Sequence, residues 1–239
     1  MRRTITPLVF VIAVMTLSCS GRSPLLQPTP GELASAGPDS FRVDVVTSRG
    51  PFALMVHRDW SPYGADRVYF LVAQHFYDEA RFFRVVKGFV AQFGISGNPL
   101  VSAVWRSQRL PDDHVLRSNT RGTVSFARSG RDSRTVQLFV NLVNNARLDT
   151  AGGFGFPPVA EVVEGMPVVD SLFDGYGERP PRGKGPPQDS ISALGNDYLK
   201  RAFPRLDYIV TARVTRTWGG GASEQLRRGL PGGRGRGGG

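Results

Sequence analysis

From residue 41 onward, apolar and polar positions alternate. Phe41, Val43 and Val45 form one run and Phe52, Leu54 and Val56 another, with Ser48-Arg49-Gly50-Pro51 between them. Two alternating runs around such a segment predict a β-hairpin. Ser61-Pro62 then gives a helix start, and Val68, Leu71 and Val72 recur at helical spacing, predicting a helix. Strand-length runs follow at 82–86, 89–95, 122–127, 135–143, 159–163 and 208–215, with helices at 166–173 and near 196–202. Residues 96–121 read as a long loop, a length that signals function or local structure of its own. Residues 175–188 form a second loop, rich in Pro and Gly. Many short strands and few helices predict a mainly β fold closed, or nearly closed, into a barrel. No internal repeat is present.

The ends of the chain differ from this middle. Arg2 and Arg3 precede an apolar run at 7–17, the length of a signal-peptide core and too short to span a bilayer. Residues 1–18 therefore read as a signal peptide. Thr16-Leu17-Ser18-Cys19 resembles the cleavage site of a bacterial lipoprotein, which makes Cys19 a candidate lipidation site and implies a membrane anchor on the periplasmic side of the cell envelope. An ordinary cleaved secretory signal is the alternative. Residues 19–40, with Pro24, Pro28, Pro30 and Pro38, read as a flexible tether. The domain proper spans 41–217, and 218–239 reads as a disordered Gly/Arg-rich tail.

Composition narrows the function. The formal net charge is +10, yet 27 of the 30 basic residues are arginine and they are scattered. No basic helix or stripe forms, so no specific nucleic-acid partner is expected. Cys19 is the only cysteine, which excludes an intrachain disulfide and a thiol metal cluster. His57, His75 and His114 are too widely spaced for a metal-ligand pattern. Asp112-Asp113 reads as a solvated turn, and Gly152-Gly153-Phe154-Gly155 as a loop that passes near the site rather than a phosphate cradle. Trp60, Trp105 and Trp218 read as packing residues.

Four ordered segments carry the chemistry. The first runs from Phe82 through Arg84, Gly88 and Phe89 to Gln92, and the second is Gly122-Thr-Val-Ser-Phe-Ala-Arg-Ser-Gly130. The third is Gln137-Leu-Phe-Val-Asn-Leu142, and the fourth Val159-Ala-Glu-Val-Val-Glu-Gly-Met166. In order and spacing they resemble the cyclophilin family of peptidyl-prolyl cis–trans isomerases, over about residues 41–217. The resemblance implies an eight-stranded antiparallel β-barrel, closed and capped by two α-helices, with a substrate groove on its outer face. It also implies a monomer that needs no cofactor or metal and acts on proline-containing segments of unfolded or partly folded proteins.

Rotation about an X–Pro amide faces a barrier of about 18–20 kcal/mol, because resonance makes the C–N bond partly double. No bond breaks, so the site must bind the twisted amide better than either planar form. By the resemblance, Arg84 is the donor aimed at the prolyl nitrogen as it becomes pyramidal. Gln92 orients Arg84 and meets the peptide backbone. Phe89 and Phe139 complete the catalytic set, and Val90, Leu148 and Phe156 complete the proline pocket. Ala127, Arg128, Ser129 and Gln137 contact the substrate peptide. Period-2 geometry is independent support, since Gln137 and Phe139 share one strand face while Val136, Leu138, Val140 and Leu142 share the other.

Departures from the family pattern stand at four positions. Val90 replaces a frequent methionine, Arg128 an asparagine, Arg147 a tryptophan of eukaryotic members, and Phe156 a histidine or tyrosine. Arg128 then keeps only its backbone role, and Arg147 argues against tight cyclosporin binding. The departures at Arg128, Arg147 and Phe156 also support an alternative, a non-catalytic proline-peptide-binding or chaperone module on the same fold. A third possibility is an envelope tethering protein whose tail binds an anionic partner.

Overall fold

The structure, a computed structural model, describes residues 22–219. Cys19, the residues read as a signal peptide and those from 220 on lie outside them. Eight strands form one sheet: β1 (Ser40–Thr47), β2 (Gly50–His57), β3 (Arg84–Val86), β4 (Val90–Phe93), β5 (Thr123–Phe126), β6 (Leu138–Asn141), β7 (Pro158–Glu164) and β8 (Ile209–Trp218). Their order is β3-β4-β6-β5-β7-β2-β1-β8, and every pair is antiparallel. The alternation at the start of the domain forms the β1–β2 hairpin, with Phe41 opposite Val56 and Val45 opposite Phe52. Phe41, Val43, Val45, Phe52, Leu54 and Val56 all lie in the main core with Phe82, Phe126, Val140 and Val159.

The expected closed barrel is met only in part. β3 and β8, the two ends of the order, share no strand ladder. The chain just before β3 meets the start of β8 through one isolated bridge, Arg81 with Tyr208. Beside it, Ile209 N–H donates to the Ala80 carbonyl at 2.9 Å and Phe82 N–H to the Asp207 carbonyl at 2.9 Å.

Helix content also differs from the expectation. α2 (Pro62–Ala73) forms where predicted, with Val68, Leu71 and Val72 buried. Its N-cap Ser61 makes no side-chain cap bond. Instead Asp113, from the long loop, accepts from Gly64 N–H at 3.0 Å and Tyr63 N–H at 3.2 Å. A carboxylate there satisfies orphan donors and meets the positive end of the helix dipole. Asp113 is thus buried, and the solvated-turn reading of Asp112-Asp113 is corrected.

The same loop contains α3 (Pro99–Trp105), N-capped by Asn98. α5 (Gln188–Ala202) starts well before the predicted helix and takes in the end of the expected loop. Gly195 breaks it with φ 63° and ψ −156°, a conformation open to glycine alone. Ile191 and Leu199 of α5 pack with Phe83, Ile95 and Leu206 in a second apolar cluster, separate from the main core. α4 (Met166–Asp170) is short.

The flexible-tether reading is corrected from residue 22 on. Thr29 and Glu32 form a reciprocal capping box on α1 (Pro30–Leu33). Leu25 and Leu33 pack against the main core, and the buried Trp105 donates its indole N–H to the Leu25 carbonyl at 2.9 Å. Trp218, read as the start of the tail, instead ends β8 opposite Ser40.

Candidate active site

Strand register builds the site. Arg84 on β3 lies opposite Gln92 on β4, which lies opposite Phe139 on β6. Directly opposed residues share a sheet face with Cβ atoms about 4.5–5.5 Å apart. The three therefore form one row across three strands. Their strand neighbours Val85, Ala91 and Val140 point the other way, into the main core. A slip of one residue in either pairing would bury Arg84 and expose the core positions.

Side-chain bonds fix the row. Arg84 Nη1 donates to Gln92 Oε1 at 3.1 Å, and Gln92 Nε2 donates to Gln137 Oε1 at 2.8 Å. Gln137 Nε2 in turn donates to Gln188 Oε1 at 3.1 Å. On its other edge Arg84 donates from Nε to Glu178 Oε2 at 3.0 Å and from Nη2 to Glu178 Oε1. Bonding to Arg84 is the main cause that holds the Glu178 carboxyl below the usual carboxylate range. It outweighs the opposing effect of burial, and Arg182 and Arg179 add to it. A guanidinium has five N–H donors. Three are used here, which leaves two for a substrate.

The apolar part of the groove sits beside this row. Phe139 and Val90 are almost fully buried, and Phe139 meets Phe156 edge to face with centroids 5.8 Å apart. Phe89 comes from the β3–β4 turn. Gly88 takes φ 72° there, the left-handed region that favours glycine, and Phe89 N–H donates to the Val86 carbonyl at 2.9 Å. Two guanidiniums approach the Phe89 ring, with the Arg147 carbon 4.6 Å and the Arg84 carbon 5.4 Å from its centroid.

All eleven residues singled out in the domain line one groove of about 1090 Å³: Arg84, Phe89, Val90, Gln92, Ala127, Arg128, Ser129, Gln137, Phe139, Leu148 and Phe156. The backbone of 127–129 is less available than expected. Ala127 N–H donates to the Gln137 carbonyl at 2.9 Å and Ser129 N–H to Ser133 Oγ at 3.0 Å. Among the described residues, only the Arg128 N–H of this trio is left for a peptide. The Arg128 side chain is almost wholly buried, 3.1 Å from Asp112, with its guanidinium carbon 3.8 Å from the Phe154 centroid and 4.8 Å from that of Phe156. Desolvation lowers its pKa. It therefore supports the aromatic wall as well as offering backbone.

Two groups of residues escape sequence reasoning. One is the loop before α5, which brings Glu178 to Arg84 and lines the groove with Arg179, Arg182, Pro186 and Pro187. The other is a buried polar network beneath the pocket. Asn145 Nδ2 donates to the Phe89 carbonyl at 3.0 Å and to Asn141 Oδ1 at 2.8 Å. Asn119 Nδ2 donates to the Phe156 carbonyl at 2.9 Å and to Asp149 Oδ1 at 2.8 Å. Burial, the largest influence on Asp149, pushes its carboxyl up, but bonds from Ser118 and Asn119 outweigh it and hold the group below the usual range. This network seats Phe89 and Phe156. Its signal was the cluster of asparagines, Asn141, Asn144 and Asn145, at the end of an otherwise apolar strand. Among the described residues no cluster of His, Cys, Asp and Glu could hold a metal ion.

An arginine, a glutamine and a phenylalanine in one cross-sheet row, with a second glutamine bonded to the first and an apolar aromatic slot beside them, define a site that can grip a peptide and polarise one of its amides. Comparison with known proteins points the same way. The sequence matches the model of the family described as cyclophilin type peptidyl-prolyl cis-trans isomerase/CLD over residues 42–192, and the chain belongs to that family. It is 35% identical over 142 residues to peptidyl-prolyl cis-trans isomerase A of Dickeya dadantii, covering 58% of this chain and 74% of that protein. It is 30% identical over 131 residues to peptidyl-prolyl cis-trans isomerase B of Escherichia coli, covering 53% of this chain and 80% of that protein. Among solved structures, a Cryptosporidium parvum cyclophilin superposes with a TM-score of 0.54 at 13% identity, over 74% of this chain and 99% of that one. That likeness shows the shared fold.

Proposed function

We propose that this chain accelerates X–Pro isomerisation in proteins exported to the bacterial cell envelope, and that Arg84 supplies the catalytic donor. The observation that carries the assignment is the fixed Arg84 guanidinium, with two free N–H groups, in register with Phe139 at the edge of the apolar slot. The proline ring seats on Phe139, Val90, Leu148 and Phe156, and the preceding carbonyl swings while the ring stays fixed. As the amide twists, resonance is lost and the prolyl nitrogen gains a lone pair, which a free Arg84 N–H meets. A charge-assisted hydrogen bond contributes about 1.5–3 kcal/mol, and each 1.4 kcal/mol off the barrier is about tenfold in rate. Because the bond exists only in the twisted form, it speeds exchange rather than tightening ground-state binding. Glu178 and Gln92 act as positioning residues that hold the donor before substrate arrives.

The export context rests on the signal-like residues 1–18 and on Cys19 as the candidate lipid attachment site, which would tether a monomeric domain to the membrane. The backbone bonds at the seam between residues 80–82 and 207–209 support reading the sheet as a barrel closed at that point, a rigid frame for the groove. The test is a proline reporter peptide assayed with the full chain. Wild-type protein accelerates its isomerisation and Arg84→Ala removes most of the effect. Equal rates with and without wild-type protein would defeat the proposal and leave the non-catalytic binding module in its place.

A further inference from the structure

The groove is ringed by unneutralised positive charge. Arg106 and Arg109 follow α3, Arg147 lies in the 3-10 turn Ala146–Asp149, and Arg179 and Arg182 lie in the loop before α5. All five are exposed, and none has a carboxylate partner among the described residues. Against them the groove wall sets one unpaired carboxylate, Asp189, since Glu178 is taken by Arg84. Elsewhere both arrangements occur. Arg117, Arg131, Arg201, Arg205 and Arg216 are also exposed without a carboxylate partner among the described residues, but other arginines are paired, and the rim is set apart by gathering its five around one cleft. Arg42 pairs with Asp44 and Glu164, Arg58 with Asp66, Arg121 with Asp170 and Arg213 with Asp78. Gathering like charges around one cleft costs self-repulsion, and the field focused there draws in anions.

The groove also already holds a carboxylate. Glu178 lies across the Arg84 guanidinium, and Arg179 and Arg182 help keep it ionised. An acidic side chain delivered by a peptide would meet the same chemistry on the rim.

We propose that the preferred substrates are acidic segments, in which Asp or Glu flanks the X–Pro bond and docks on this arginine rim. The inference rests on the isomerase reading of the groove and names its substrate class. Complementary charge raises encounter rate and selectivity more than it changes chemistry. The preference should therefore appear in affinity and in kcat/KM while kcat changes little.

The test uses the full chain and three peptides that share one X–Pro core. They carry Glu, Ala or Lys two residues before and two residues after the proline. Affinity and exchange rate are measured for each, at low salt and at about 1 M salt, where the screening length falls to about 3 Å. At low salt the Glu peptide is expected to bind and turn over about tenfold better than the Lys peptide. High salt should shrink that ratio toward one, and Arg179→Ser with Arg182→Ser should narrow it at low salt. Equal affinities for the Glu and Lys peptides at low salt, or a preference that salt does not alter, would overturn the inference. If no peptide exchanges faster, the isomerase reading fails, and the affinity ratio alone still decides whether the rim selects acidic segments.

Discussion

Two arginines of this domain make opposite use of the same chemistry. Arg84 and Arg134 each lie on or beside a strand and each pairs with a carboxylate. Arg134 is fully enclosed. Its side chain is 0% exposed, and it donates to Asp113 Oδ2 at 3.0 Å, to Ser61 Oγ at 3.3 Å and to the Pro111 carbonyl. Those partners tie the long loop to the start of α2, and no face of the guanidinium reaches solvent. Arg84 is 22% exposed and retains two free donors toward the groove. Each of the two makes three side-chain hydrogen bonds, and the buried Arg134 Nε has no hydrogen-bond partner among the described residues, so access rather than bond number separates them. An arginine works on a substrate when its remaining donors border an open groove, and an enclosed one is a structural clamp.

Exchanging the lesions separates the two roles. Arg84→Ala should lower kcat/KM by about 10²-fold, the value of one charge-assisted bond made only in the twisted state, with little change in unfolding free energy. Arg134→Ala should do the reverse. Removing one partner of a buried pair costs about 3–5 kcal/mol, so a denaturant titration should show a large loss while activity per folded molecule stays within about threefold. If Arg134→Ala abolished activity with stability intact, the division would be wrong.

Gln92→Ala should fall between them. It strips Arg84 of one orienting bond and leaves Gln137 without a donor, and about tenfold in kcat/KM is expected from a net hydrogen bond of about 1–1.5 kcal/mol. A smaller effect is expected at the edge of the domain. Thr29→Ala removes the α1 cap and should cost about 0.5–2 kcal/mol, read as a lower unfolding midpoint with kcat/KM unchanged.

The smallest effect concerns pH. The Glu178 carboxyl is held below the usual carboxylate range by Arg84. A depressed folded-state pKa gives a contribution that is fully present above the unfolded value and is lost as pH falls through the depressed one. The pair should therefore survive at a pH where ordinary glutamates are half protonated. An NMR titration of the Glu178 side-chain carboxyl carbon should show its midpoint below those of exposed glutamates. A midpoint in the ordinary range would mean that Glu178 does not hold Arg84 in solution.

The sequence displayed the core row and hid its supports. Phe139 was legible from strand periodicity, which sets it with Gln137 on one face, whereas Arg84 and Gln92 were legible through the resemblance of the four ordered segments to the family. The β1–β2 hairpin and α2 were legible from their apolar spacing. The capping box at Thr29 and Glu32 was visible in principle, as a T-x-x-E pattern, but the prolines around it spoke for a tether. What ties that segment down is Trp105, far along the chain, and no local pattern reports such a contact. Asp113 and Glu178 were opaque for the same reason, since each acquires its role from a partner at least 49 residues away. α5 was misplaced because its first half buries Ile191 against Phe83 and Ile95 and is then broken at Gly195, so no single helical period runs through it.

The most direct measurement is two-dimensional exchange NMR on an X–Pro peptide, run with a small fraction of the full chain, wild type or Arg84→Ala. Cross-peaks between the cis and trans forms should grow in with wild-type protein. With the variant they should be lost while peptide shifts still report binding, which places Arg84 in the barrier rather than in recognition. Cross-peaks of undiminished intensity with Arg84→Ala would contradict that assignment.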